Sequence, residues 1–384
     1  MCTSRKDLLS GGAKELTPPI KHEGMILSVK CVTSGCEWTI RNRRPKPAVV
    51  VEKSPQHLLS DFCDPRHIGS GRSKATISAQ MKAAVYTKAR LGKVLEMKDL
   101  EQPVPKDNEV VIRVCAASVN PLDWRMKSQR PGVDVAGEVA AVGGTVTQFK
   151  PGDAVFGACK GAFAEYACAP EAKLVRKPES VSFDQAAAVP IAGLTALQAL
   201  RDKGHLQPGQ KVLINGAAGG IGTFAVQIAK SFGANVTGVC STKNVELVRS
   251  LGADRVIDYT RDDFTHDSQR YDLLLDNVGN RTLSAMRRVL SPSGKCVMAG
   301  APKELWAVFT RLLKAFAWSL FLRQKFTFFI AKMNRDDLMT LCGLIKAGKI
   351  TPVIDRRYPL TETADAIAYV EEGHAPAKVV ITFQ

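Results

Sequence analysis

Residues 211–230 read KVLINGAAGGIGTFAVQIAK, and the fold follows from how that stretch is divided. Residues 211–215 are an apolar run of strand length. Residues 216–222, GAAGGIG, form a turn in which nothing bulky separates strand from helix. Ile221, Ala225, Ile228 and Phe232 then recur at helical spacing, so an amphipathic helix follows. A strand, a glycine-rich turn and a helix make a dinucleotide site. The missing side chains let a pyrophosphate approach the backbone, and the N–H groups of the first helical turn face its charge. Ala218, Gly219, Gly220, Ile221 and Gly222 are the expected cradle.

A glycine turn alone also serves purely structural ends, so its neighbours matter. Further strands are expected at 235–240, 255–259, 271–276 and 295–300, with helical segments between them and a sixth strand at 350–354. That alternation argues a doubly wound parallel sheet, a Rossmann domain. After the second strand an NAD site usually places Asp or Glu on the ribose. Here the strand runs into Ser241-Thr242-Lys243, and the first acid, Glu246, falls a turn into the next helix. A hydroxyl and a cation suit a 2′-phosphate, which a carboxylate would repel. NADPH is the expected cofactor. Asn277 and Gly279 end the fourth strand, where ligands of open α/β sheets gather.

The 384 residues are enough for two domains, and 45% hydrophobic composition is enough for sizeable cores. The formal charge of +16 attracts anions without choosing among them. Ten cysteines without a CxxC pair fit reduced thiols in a cytoplasmic protein. No run of 18 apolar residues predicts a spanning helix, and the first thirty residues lack the apolar core of a secretory signal. Residues 1–80 show weak periodicity, turn-rich clusters and a basic run at 41–47, and are expected to be a largely disordered leader. A globular protein is expected to start at Met81.

From Met81 the texture changes to short strands at 82–86, 109–116, 135–142 and 163–169, with turn signals between them. Within and after them come VNPLD (119–123), GVDVAGEV (132–139), KPGDAV (150–155), GAFAEY (161–166) and AGLTA (192–196), all ahead of the glycine turn. This ordered set resembles the zinc-independent quinone oxidoreductase branch of the medium-chain dehydrogenase/reductase superfamily, over roughly residues 81–384. The resemblance implies an α/β protein: a GroES-like, β-rich catalytic domain (81–200 and 355–384) with a Rossmann NADPH-binding domain (201–354) inserted. It also implies Asn120 and Asp123 near the nicotinamide and its ribose, Thr195 by the cofactor phosphates and Tyr259 near the adenosine phosphate. The residues themselves offer plainer roles: a turn at Asn120-Pro121, a helix cap at Asp123. Tyr86 could donate a proton, or simply pack.

Between Met81 and Gly204 there is no histidine, and Cys115, Cys159 and Cys168 are isolated. A catalytic zinc normally takes His, Cys and carboxylate ligands. In zinc-dependent relatives the stretch aligned with Gly132-Val133-Asp134 has a His and a Glu, and Val133 cannot ligate. The expectation is a metal-free enzyme that passes hydride from NADPH to a small lipophilic quinone or α,β-unsaturated carbonyl, aided by orientation, a dry cleft and hydrogen bonds to the developing oxyanion. The rival is an NADPH-bound nucleic-acid-binding or interaction protein with little turnover. Nucleic acid is the less favoured partner, and a homodimer is the expected assembly. Between Trp124 and Gly132 the chain has a shorter loop than relatives carry beside the substrate pocket. Residues 303–332 crowd aromatics among cations, which fits a helical pair packed on the core, a wall of a greasy cleft or a peripheral membrane contact. His374, after a glycine turn, is expected to be structural.

Overall fold

A computed structural model describes residues 21–22, 25–32, 35–42, 80–89, 92–126, 128–299, 315, 318 and 323–383. The chain divides into two units, Met1–Lys74 and Ala75–Gln384. In the first, strands Lys21–His22, Met25–Val32 and Gly35–Asn42 form a three-stranded antiparallel sheet in chain order. Of the basic run at 41–47, residues 43–47 lie outside the described residues, as does most of the aromatic stretch 303–332.

The second unit has two lobes. The parallel sheet orders its strands Arg255–Asp258, Asn235–Cys240, Lys211–Asn215, Tyr271–Asp276, Leu290–Met298, Lys325–Phe328. Five of the six strands match the expected places. The sixth does not: residues 350–354 were expected, and Lys325–Phe328 pairs with Leu290–Met298 instead. Lys325-Phe326-Thr327-Phe328 alternates polar and aromatic with period two, a strand pattern hidden among helix-like neighbours. Residues 354–359 are a strand of the other lobe.

That other lobe is a seven-stranded sheet built around Glu109–Ser118, which pairs antiparallel with Asp134–Val142, Tyr166–Pro170 and the C-terminal Lys378–Thr382. Lys378–Thr382 is held on its other side by Ile354–Pro359. Residues 109–176 and 354–382 therefore share one sheet, with the parallel sheet inserted between them, while Gln80–Ala89 and Gly92–Glu101 pair as a separate two-stranded sheet. Helices Pro190–Gln198 and Gly220–Ser231 pack between the lobes. Phe224, Ala225, Val226, Ile228 and Ala229 are fully buried, in a core that also takes in Phe156 and Val380 of the other sheet. Phe224 alone contributes about 1.5–3 kcal/mol by burial. A second core, around Ile112, Phe163 and Ile381, fills the antiparallel lobe.

Candidate active site

The glycine turn is shaped by two close approaches. Gly216 has φ of +79°, a left-handed conformation that favours glycine. At Gly222 a Cβ would stand 2.1 Å from the Gly216 carbonyl oxygen, so no side chain fits there. The helix Gly220–Ser231 starts at Gly219 with no side chain capping it, which leaves the donors of its first turn for a ligand. Ala218, Gly219, Gly220, Ile221 and Gly222 all line a cleft of about 610 Å³.

Ser241, Lys243 and Tyr259 line one end of the same cleft. Lys243 sits in a short 3-10 turn, Thr242–Asn244, and its ammonium makes no hydrogen bond or ion pair to a described residue. Asp258, which touches this turn through the Thr242 hydroxyl, accepts from the Thr242 and Thr260 hydroxyls, which hold it below the usual carboxylate range. At the other end, the Oδ1 and Nδ2 atoms of Asn277 are buried without a hydrogen-bond partner among the described residues. Burying an unsatisfied amide costs about 1–3 kcal/mol, so Asn277 is poised for a ligand. These orphaned polar atoms, the bare helix start and the exposed cation fit a dinucleotide cofactor. Gly279 stands behind them: its N–H donates to Asp276 Oδ1 (3.0 Å), and it is not among the cleft-lining residues, whereas Val278 and Asn280 are.

The remaining expected site residues fall differently. Thr195 is buried, spends its hydroxyl on the Ile191 carbonyl one turn back (2.7 Å) and does not line the cleft. Tyr86 lies outside the cleft lining, and burial pushes its phenol up, away from acid work. Asp123 also lies outside it. Its Oδ2 accepts from the Asn120 N–H (2.7 Å) and its Oδ1 from the Gly132 N–H (2.9 Å), tying the short helix Pro121–Arg125 to the strand that follows. The described residues of the aromatic stretch are likewise absent from the lining: Trp318 packs edge-on against Phe326 at 5.6 Å.

Burial pushes the Asp123 carboxyl up to about 7, against the pull of its two N–H donors. A carboxyl raised in the folded state contributes stability that is complete below the unfolded pKa and is lost as pH rises through the folded one. Asp123→Asn removes that titration. The stability advantage of the natural protein over the variant in urea melts should therefore shrink from about pH 4 to about pH 7. An advantage that stays flat or grows would contradict the assignment.

Asn120 does line the cleft, but its carboxamide is committed. Nδ2 donates to the Ser118 carbonyl (3.2 Å) and to Asp134 Oδ2 (2.9 Å), and Oδ1 accepts from Lys378 Nζ (2.7 Å). Asp134 is fully buried and hydrogen-bonded at both oxygens: Oδ2 also accepts from Ser118 Oγ (2.8 Å), and Oδ1 accepts from the Ile191 N–H (3.0 Å). Lys378 is 3% exposed, lines the cleft and stands 3.6 Å from Asp134. Sequence reading named neither Asp134 nor Lys378 as a site residue. The one signal for them is the pairing of an acid inside VDVAGEV with a lysine inside AKVVITF, two runs otherwise apolar enough to be buried.

The donor set does not suit a metal. Val133 has no ligating atom, the Asp134 oxygens are spent, and burial pushes the thiols of Cys115, Cys159 and Cys168 up. Among the described residues no three His, Cys, Asp or Glu side chains converge as a metal site would require. No helix among them is long and apolar enough to cross a membrane.

Comparison with known proteins agrees with this architecture. Residues 106–179 match the alcohol dehydrogenase GroES-like domain, and residues 251–381 match a family described as zinc-binding dehydrogenase. A chloroplast envelope quinone oxidoreductase homolog of Arabidopsis thaliana is 34% identical, over 75% of this chain and 93% of the relative. An NADPH-dependent alkenal/one oxidoreductase of the same plant is 33% identical, over 80% of this chain and 81% of the relative. The quinone oxidoreductase of Coxiella burnetii superposes with a TM-score of 0.70 at 29% identity, covering 80% of this chain and all of that one. With the GroES-like lobe, the inserted parallel sheet and these relatives, the chain belongs to the quinone oxidoreductase-like group of the medium-chain dehydrogenase/reductase superfamily, oxidoreductases that work with a nicotinamide cofactor.

Proposed function

We propose that this chain is an NADPH-dependent, zinc-independent reductase that passes a hydride to a quinone or an α,β-unsaturated carbonyl. The observation that carries the reading is the cleft itself: an uncommitted cation, Lys243, beside Ser241 at one end, and the unspent amide of Asn277 at the other. The names of the relatives, quinone oxidoreductase and alkenal/one oxidoreductase, support the acceptor class.

NADPH, when bound, supplies the hydride. The turn from Ala218 to Gly222 would hold its pyrophosphate, Ser241 and Lys243 its 2′-phosphate, and Asn277 the nicotinamide half. Val119, Ile191, Val370 and Val379 give the cleft an apolar lining. Such a lining keeps water from the transferred hydride and strengthens each polar contact inside. Zinc is left out because the donors that would hold it are missing or spent.

Purified protein should oxidise NADPH only when a quinone or enone is added, and should keep doing so after treatment with a chelator. No acceptor-dependent oxidation with either class would defeat the proposal. Lys243→Ala should weaken NADPH by about 1.5–3 kcal/mol, the worth of a charged hydrogen bond, while leaving NADH nearly unchanged. Equal losses for both cofactors in a fluorescence titration would remove Lys243 from the phosphate.

A further inference from the structure

Reduction of a carbonyl or quinone needs a proton as well as a hydride, and the expected acids do not supply it. Asp123 and Tyr86 lie outside the cleft lining, and the Asn120 carboxamide is held from both ends. Lys378 is the one buried charged side chain among the described residues of the lining. An ammonium has three N–H donors. Two have partners, Asn120 Oδ1 at 2.7 Å and the Val119 carbonyl at 3.2 Å. The third is the least committed: its nearest acceptor is Asp134 Oδ2, an ion-pair partner at 3.6 Å that already accepts from Ser118 and Asn120. The stem of Lys378 runs beneath the glycine turn, with Cδ 3.0 Å from where a Cβ on Gly220 would be, and Ala377 N–H donates to the Ala218 carbonyl at 2.7 Å. The stem thus lies against the glycine turn while the amine is bonded to Val119 and Asn120. Resting on the reading of this chain as a quinone or enone reductase, we propose that the Lys378 ammonium meets the oxygen of the bound acceptor, stabilises the charge that develops there and donates the proton.

The step balances as follows. A C–H or O–H bond forms on the acceptor with the hydride, so the acceptor gains two electrons and the reduced nicotinamide loses them. The acceptor oxygen takes on negative charge, an N–H bond of Lys378 breaks as an O–H bond forms, and the neutral amine regains a proton from water. Burial lowers the Lys378 pKa from its ordinary value, while the facing carboxylates of Asp134 and Asp123 work the other way. His374 shares the cleft lining. In this arrangement a fixed ammonium does the electrostatic work that a metal does in zinc-dependent relatives. Asn120 and Asp134 then act through Lys378, as positioning residues.

The test uses the full chain with NADPH, one quinone and one enone. Lys378→Arg keeps the cation but cannot release a proton near neutral pH. It should lower kcat about 100-fold or more, in line with loss of an oxyanion-stabilising donor, while NADPH titrates within about threefold of the natural protein on that same scale of effects. The natural enzyme should lose activity as pH rises through the Lys378 pKa, and the variant should lack that alkaline limb. A kcat and alkaline limb unchanged in Lys378→Arg would overturn the proposal. So would loss of turnover matched by loss of NADPH titration, which would make Lys378 a cofactor or packing residue only. Should thermal melts show that the variant is unfolded, amine labelling of the natural protein with peptide mass spectrometry decides. Lys378 should be shielded by NADP⁺ together with a non-reducible acceptor analogue and not by NADP⁺ alone; equal labelling in both overturns the proposal. Absence of turnover in the natural protein with either acceptor is a different result, and it defeats the proposed function instead.

Discussion

Asp134→Leu is expected to lower stability by about 3–5 kcal/mol, the cost of removing one partner from a buried charge pair. The carboxylate accepts from Ser118, Asn120 and the Ile191 N–H, and it is the close counter-charge of Lys378. Leucine would leave a buried ammonium without its counter-charge, held only by neutral acceptors, and leave three donors without an acceptor. Replacing both charges, in Asp134→Leu with Lys378→Met, should recover much of the loss, since well-packed apolar pairs often equal buried ion pairs in stability. Urea melts of the two singles and the double form the cycle. A double variant as unstable as the sum of the singles would mean that the two charges do not act together.

Gly222→Val should abolish NADPH binding, a loss of about 100-fold or more, and also lower the melting temperature. Its Cβ would meet the Gly216 oxygen at 2.1 Å and the Ala217 carbonyl carbon at 2.6 Å, both backbone atoms that cannot rotate away. Overpacking of this kind costs about 1–3 kcal/mol, occasionally more, and here the turn that must shift is the phosphate cradle. Gly219→Ala offers the contrast. Its Cβ meets only the Gly216 oxygen at 3.4 Å, so the fold should tolerate it while the ligand, passing over the same spot, should not. Fluorescence titration alongside thermal melts separates the two effects. A Gly222→Val protein that binds NADPH normally would mean that the turn is not the cofactor's cradle.

Most of the nucleotide lobe was legible because its information is local. Period, glycine spacing and strand length around residues 211–230 state it within one window. The sixth strand was not legible. Lys325–Phe328 is four residues long and follows an aromatic run with helix-like periodicity, while 350–354 had the apolar look of a strand. Ser241, Lys243 and Asn277 were expected because strand ends of a parallel sheet collect ligands, and Tyr259 from the resemblance; all four line the cleft. The hydrogen-bond cluster beside the cleft was legible only at Asn120. Ser118, Asn120, Asp134, Ile191 and Lys378 come from widely separated segments, and only the folded chain brings them together. A lysine at the start of a strand ordinarily reads as a solvated end. Asp123 illustrates the reverse: the plainer role, a cap holding the Pro121–Arg125 helix, matches its hydrogen bonds.

The placement of Lys378–Thr382 between Glu109–Ser118 and Ile354–Pro359 also governs when the enzyme can come into being. A ribosome makes Glu109–Ser118 long before the strand that will lie beside it. Throughout synthesis of the inserted lobe, that edge of the early sheet has no neighbour, and unpaired edges recruit other chains. The nucleotide lobe draws its parallel strands from one continuous stretch and can begin to fold on emergence. The antiparallel lobe must wait until residues 378–382 are made, so the nascent chain carries a half-built lobe that needs shielding until then.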